Sequence, residues 1–198
     1  VTDKPLRAPS LTVEDRRSML VDAVTPLLTE FGAAVTTKQI AERACIAEGT
    51  IFRAFGTKEE LIQAAVARQL DPEPFREKLR AVDVGLPLEA RVRSIVVLMR
   101  ERFTTVFTLM TSLGLLGKPH THDPRREFTE ILSRALEPDL ERLHFTAERS
   151  AQIIRMVSLA ASMPMIHLGT GFDDDEITTL ILYGIAGHPA GVPEPPSH

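Results

Sequence analysis

The residues best suited to chemistry in this chain are few and scattered. Between Thr36 and Lys58, hydroxyls, cations and small residues alternate with apolar residues at helical spacing. Thr36, Thr37, Thr50, Arg53 and Lys58 can hydrogen-bond to a polyanion or neutralise it, and Gly49 lets a backbone come close. His120 and His122 beside Asp123 have metal-ligand chemistry. Their loop spacing is short and no further His or Cys cluster accompanies them, so they read as solvated loop polarity and no metal is assigned. Asp173-Asp174-Asp175-Glu176 is acidic enough to hold a cation, but its place before the last helix favours capping and dipole complementarity. Cys45 is the single cysteine, which excludes an intramolecular disulfide and a cysteine-rich zinc site. With no resolving thiol it reads as a small residue packed in a turn, not as a redox switch. No Gly-rich phosphate loop, nucleophile elbow or partnered carboxylate pair occurs, so no catalysis is expected and no cofactor is implied.

The elements that must position these residues read as helices, giving an all-α fold class. Alternating β-branched runs are absent, and Gly or Pro punctuates the chain at helix-length intervals. A first helix begins at Thr12, an N-cap with Asp15 three residues on. It carries Met19, Leu20, Ala23, Val24, Leu27, Leu28 and Phe31 on one face, ends at Gly32, and is expected to kink at Pro26. A second helix runs from Thr36 or Thr37 to Ala44, a turn occupies Cys45-Ile46-Ala47, and a third helix spans 48–55. Gly56-Thr57 separates it from a helix over 58–70. Further helices are expected over 75–82, 88–113, 124–143, 147–168 and 174–185, with a loop over 114–123. The expected organisation is a flexible arm over 1–11, a helix-turn-helix domain over 12–57, a larger helical domain over 58–186, and a loose tail over 187–198.

With 198 residues, 43% apolar and 25% charged, the chain has the composition of a soluble globular protein. A net charge of −4 gives no global basic signature, so any contact with nucleic acid must be local. The longest uncharged run, 156–172, is broken by Pro164 and falls short of the ~20 apolar residues of a membrane span, so no membrane partner is expected. The lone cysteine and the lack of a leader at the start of the chain make the cytoplasm the expected compartment.

Two short helices joined by a tight turn inside a three-helix unit describe a helix-turn-helix, whose second helix offers side chains to base edges. The residues concerned are Thr36-Thr37-Lys38-Gln39-Ile40-Ala41-Glu42-Arg43-Ala44, then Cys45-Ile46-Ala47-Glu48-Gly49-Thr50-Ile51-Phe52-Arg53-Ala54-Phe55, then Lys58-Glu59-Glu60-Leu61. This stretch resembles the DNA-binding domain of the TetR family of transcriptional regulators, whose pattern is roughly T-x-x-x-I-A-x-x-A-G-V-S-x-G-T-L-Y-x-x-F-x-x-K-x-x-L. The match covers residues 12–62. Cys45 stands where the family has a turn glycine, so a positive φ there would cost roughly 1–2 kcal/mol. Ala47 replaces a serine cap, and Phe52 replaces a tyrosine whose hydroxyl meets the DNA backbone; both losses weaken positioning, not base reading. The DNA-facing candidates are Thr36, Thr37, Ala47, Glu48, Gly49, Thr50, Phe52, Arg53 and Lys58, with Arg53 reaching either a guanine or a phosphate.

The resemblance implies a ligand-responsive regulator, a repressor that binds a palindromic double-stranded DNA operator as a homodimer and is released by a small-molecule effector. Residues 147–168 and 177–185 carry more apolar surface than one helical stripe, so two faces want burial. One serves the core, and the other would build the two-fold interface through Ile153, Val157, Ala160, Ile177, Ile181 and Ile185. A small hydrophobic effector is expected to lie against Met99, Arg100, Phe103, Phe107 and Met110 from one helix and Met156, Met163 and His167 from a later one. Methionines repack readily, which suits such a pocket. Arg100, on a charged face with Glu101 and Arg102, reads as solvated unless it turns inward. The rival reading is a protein-interaction module on the same fold whose DNA binding has decayed; an enzyme is a more distant one.

Overall fold

The computed structural model describes residues 12–115, 125–164, 166 and 171–185; among these the elements are helices joined by turns and short loops, with no strand. No helix of the described residues is long and apolar enough to cross a membrane. The chain divides into two compact units.

The first unit holds α1 (Val13–Phe31), a 3-10 turn (Gly32–Ala34), α2 (Thr37–Arg43), α3 (Gly49–Phe55) and α4 (Lys58–Leu70), together with the chain from Thr108 onward at the end of α6 (Leu88–Ser112). It therefore extends past residue 57 to take in all of α4. Thr12 and Asp15 close the capping box that starts α1, and the helix runs through Pro26 to a Gly32 cap at φ 56°. Leu20, Val24 and Leu28 of α1 meet Val35, Ile40, Ile51, Phe55, Leu61, Ala65 and Leu109 in one core. Gly32 is required there: a Cβ would stand 2.2 Å from the backbone oxygen of Ser112.

The second unit holds α5 (Glu73–Arg80), α6 as far as Phe107, α7 (Arg125–Leu136), a 3-10 segment (Glu137–Arg142), α8 (Ala147–Ala161) and α9 (Asp174–Ile185). Its core gathers Phe75, Leu79, Val92, Ile95, Val96, Met99, Leu132, Leu136, Ile154, Ile177 and Ile181. Buried cations are matched by carboxylates. Arg76 pairs with Glu127 at 2.8 Å and Glu73 at 3.3 Å. Arg91, only 1% exposed, donates to the carbonyls of Val84 and Leu86 and to Asp139.

Two helices are shorter than the sequence suggests. The expected helix over 124–143 gives way at Leu136 to a 3-10 segment with a non-helical Asp139, because Pro138 supplies no amide to continue it. The expected helix over 147–168 ends at Ala161, where the Ser162 hydroxyl turns back to the Ser158 carbonyl at 2.7 Å and Pro164 disfavours helix in the residue before it. Met163 thus lies beyond α8, while Met165 and His167 fall outside the described residues, as do His120, His122 and Asp123.

The acidic run caps α9. Asp173 accepts from the amides of Asp175 and Glu176, both at 2.8 Å, and Glu176 accepts from the Asp173 amide at 2.9 Å. Arg93 reaches Asp175 at 2.5 Å, and Arg100 donates to Asp174 and to the Phe172 carbonyl at 2.9 Å. Arg100 is thus neither solvated nor an unpaired anchor for a ligand.

Candidate nucleic-acid interface

The site is built from α2, its exit turn and α3. Before α2, the Thr36 hydroxyl accepts from the Gln39 amide at 3.2 Å and donates to Gln39 Oε1 at 2.9 Å, while the Thr36 amide donates to the same oxygen at 2.8 Å. This capping box satisfies the first orphan amides of the helix. Ile40 and Ala41 face the core, leaving Lys38, Glu42 and Arg43 exposed on the outer side.

α2 ends in a Schellman turn. The Ile46 amide donates to Ala41 at 3.0 Å and the Cys45 amide to Glu42 at 3.2 Å. The geometry puts Cys45 at φ 53°, the one non-glycine residue with positive φ among those described. The glycine-like position expected from the sequence is therefore real, and Cys45 occupies it exposed.

α3 buries Ile51 and Phe55 and turns the opposite face outward. On that face Phe52 is 48% exposed, Arg53 is exposed, and a Cβ on Gly49 would meet nothing within 4 Å. Among the described residues nothing crowds a side chain at 49, and about half of the Phe52 surface is open. Arg53 Nε donates to the Gly49 carbonyl at 3.2 Å and Nη2 reaches the Thr50 hydroxyl at 3.5 Å, so the guanidinium lies along its own helix. Thr36, Thr37, Phe52 and Lys58 line one shallow depression with Thr57 and Glu59, and Ala47 and Glu48 line another with Lys38, Glu42 and Cys45.

The two depressions are linked by a hydrogen bond between Thr37 and Glu48, and several of the candidates are engaged within the chain. The Thr37 hydroxyl donates to Glu48 Oε2 at 2.7 Å, tying α2 to the start of α3. Lys58 Nζ donates to the carbonyls of Val35 at 3.1 Å and Ala33 at 3.4 Å, which fixes the chain leading into α2. A residue outside the expected set also matters. Arg17 of α1 donates to the Ala54 carbonyl at 2.5 Å and lies 4.1 Å over the Phe55 ring, holding the end of α3. No local pattern announces it, since the contact joins residues 37 apart in sequence.

The other expected sites are distributed differently. Met99 is buried in the second core, Phe103 and Phe107 are half-buried, and Met110 is buried with the first unit. Met156 is 60% exposed, so it does not face the interior of its unit as expected. Helical phase explains this: Ala151, Ile154, Ser158 and Ala161 take the inner face of α8, and Met156 falls opposite them. Ile177 and Ile181 are core residues of the monomer, so they are not free for an interface; the outward residues of α9 are Leu180 and Tyr183. Ile153 and Val157 pack partly against the core, and Ala160 is half-buried.

Residues 20–65 match the family described as bacterial regulatory proteins, tetR family. A transcriptional repressor of Rhodococcus jostii, KstR, is 36% identical over 66 residues, which is 33% of this chain and 31% of that relative's length. Of solved structures, a TetR-like transcriptional regulator from Rhodococcus superposes with a TM-score of 0.54 at 18% identity over 88% of this chain and 95% of its own. SmeT, the repressor of the SmeDEF multidrug efflux pump of Stenotrophomonas maltophilia, gives 0.54 at 21% identity over 91% and 97%. The all-helical fold is shared across nearly the whole chain, and the sequence likeness is concentrated in α1 to α4.

Proposed function

We propose, from a chain whose N-terminal unit is a tetR-family helix-turn-helix domain, that it is a transcriptional repressor which binds a palindromic operator as a homodimer and is released by a small effector. The outward face of α3 carries the reading. Gly49 has open space at its Cβ position, Phe52 is half exposed and Arg53 is exposed, on a helix whose start is tied to α2 by the Thr37–Glu48 hydrogen bond. A buried partner in the major groove accounts for all three: close backbone approach at Gly49, ring contact from Phe52 and a cation from Arg53. Repression is the mode named for KstR and SmeT.

The dimer would form on the outer faces of α8 and α9, which pack against each other and leave Met156, Leu180 and Tyr183 exposed. An isologous contact between two copies would cover them. The effector would lie against the half-buried Phe103 and Phe107 of α6, and it would act by binding the DNA-incompetent arrangement more tightly. A soluble cytoplasmic location goes with this role.

Genome-wide recovery of bound DNA tests the reading. Enrichment of a short palindrome is the expected result. Failure to retain any duplex at low salt would instead leave a helical interaction module whose DNA contacts have decayed.

A further inference from the structure

The surface built by α2 and α3 carries an acidic side chain at the tip of α3. Glu48 is exposed and immediately precedes the helix that the motif brings to base edges. A carboxylate there cannot contact phosphate, since both groups are acceptors and both are negative. Nor does it cap α3, to whose amides its side chain makes no bond. Its side-chain partner among the described residues is the Thr37 hydroxyl at 2.7 Å. The carboxylate is therefore held from the neighbouring helix by Oε2, and Oε1 takes no bond from the described residues. Beside it, the open space at Gly49 leaves the approach unobstructed.

Two groups donate hydrogen bonds in the major groove, N4 of cytosine and N6 of adenine. Adenine N6 lies next to N7, an acceptor that repels a carboxylate, whereas cytosine presents its amino group with no acceptor of its own beside it. We propose that Glu48, positioned by Thr37, accepts from the 4-amino group of a cytosine in each operator half-site and sets specificity at that base pair. The inference rests on the regulator reading above. It makes Thr37 a positioning residue, because the single proton of its hydroxyl is spent on Glu48.

For the test, the full chain selects duplexes from a random pool, and the selected half-site is varied one base pair at a time at fixed salt. The expected result is one pair at which C·G is favoured over the alternatives by roughly tenfold or more in Kd. In Glu48→Gln that preference moves to A·T, because a carboxamide pairs with adenine N6 and N7 together. Glu48→Ala loses the preference at that pair and keeps it elsewhere. Thr37→Val weakens discrimination at the same pair, and Thr37→Ser retains it. The proposal is overturned if Glu48→Ala tightens binding to every duplex alike, which would make the carboxylate a repulsive charge only, or if Glu48→Gln leaves the preference map unchanged. A wild-type chain that enriches no duplex overturns the regulator reading itself, before any variant is compared.

Discussion

At φ 53° Cys45 stands in the left-handed region, and Cys45→Gly is expected to stabilise the helix-turn-helix. The left-handed backbone costs an L-residue roughly 1–2 kcal/mol. Glycine returns part of this, about 0.5–1 kcal/mol, through the greater freedom of the unfolded chain. The cysteine side chain contributes little to set against the gain, since it is exposed and its thiol reaches the Glu42 carbonyl only at 3.8 Å. The net gain is therefore about 0.5–1 kcal/mol. Urea unfolding under reducing conditions should show a raised midpoint with an unchanged slope. Cys45→Ala is the control, because it removes the sulfur but keeps the Cβ, and it should gain nothing. If alanine stabilises as much as glycine, the benefit belongs to loss of the thiol, and the strain argument fails. A destabilised glycine variant would refute it outright.

The same assay separates two other glycines. Gly32→Ala should cost more than ~2 kcal/mol, because the new Cβ meets the Ser112 backbone, whereas Gly56→Ala should cost only the ~1–2 kcal/mol of its φ of 73°, its nearest neighbour being the flexible Glu60 carboxylate; equal costs would refute the backbone clash. For the dimer, Leu180→Glu should halve the solution mass and leave the helical content intact, while the buried Ile181→Ala should cost ~2–5 kcal/mol of stability; an unchanged mass in Leu180→Glu would remove α9 from the interface. In acid, the hydrogen bond from Arg142 holds the Glu89 carboxyl below its usual range, as Arg80 does for Glu73 and Thr12 for Asp15. A lowered folded-state pKa gives stability that is present above the unfolded value and lost as pH falls through the folded one. The urea midpoint should therefore hold from neutral pH to about pH 5 and then fall, and Glu89→Gln should flatten that fall; an identical acid limb in the variant would show that the pair contributes nothing.

How much of this is legible in the sequence depends on whether the physics is local. The capping residues Thr12 and Thr36, the turn at Cys45 and the breaks at Gly32 and Gly56 all act within a few residues of themselves, and the structure places them as the spacing predicts. Proline is a local signal too: Pro138 and Pro164 each shorten a helix that apolar periodicity alone would extend. The proposed interface on the C-terminal helices rests in the sequence only on an excess of apolar surface. Periodicity says that α9 has two apolar sides, but not which side its own core takes, and the core took Ile177 and Ile181. The ionic clamps were invisible for a different reason. Arg100 meets Asp174 from 74 residues away, and Arg91 meets Asp139 from 48, so no window along the chain contains both partners.

The hydrogen bonds on the face of α2 and α3 lead to a last prediction about the manner of binding. Phosphate positioning normally draws on hydroxyls and cations together. Here the hydroxyl protons of Thr36 and Thr37 are committed to Gln39 and Glu48, Lys58 is directed at two carbonyls of its own chain, and residues 47 and 52 carry no hydroxyl. Besides the Thr50 hydroxyl, which accepts from Arg53 at 3.5 Å, the groups left to meet phosphate on this face are cations: Lys38 and Arg43 on the outer side of α2, and Arg53 if it does not read a base. Lys38 is only loosely held, 3.9 Å from an exposed Glu42. Binding that depends on cations releases counterions, so the logarithm of affinity should fall with the logarithm of salt concentration with a slope of ~0.9 per phosphate contact. Lys38→Ala and Arg43→Ala should each flatten the slope by about 1 and weaken every operator alike. Arg53→Ala should do the same if it meets phosphate, or lose ~1–3 kcal/mol at a single base pair if it meets guanine. Neutral hydroxyls have no such signature, because their hydrogen bonds displace no ions. A slope unchanged in all three variants would show that the threonines release their internal partners on binding, and that the pre-formed network seen here is not the one that faces DNA.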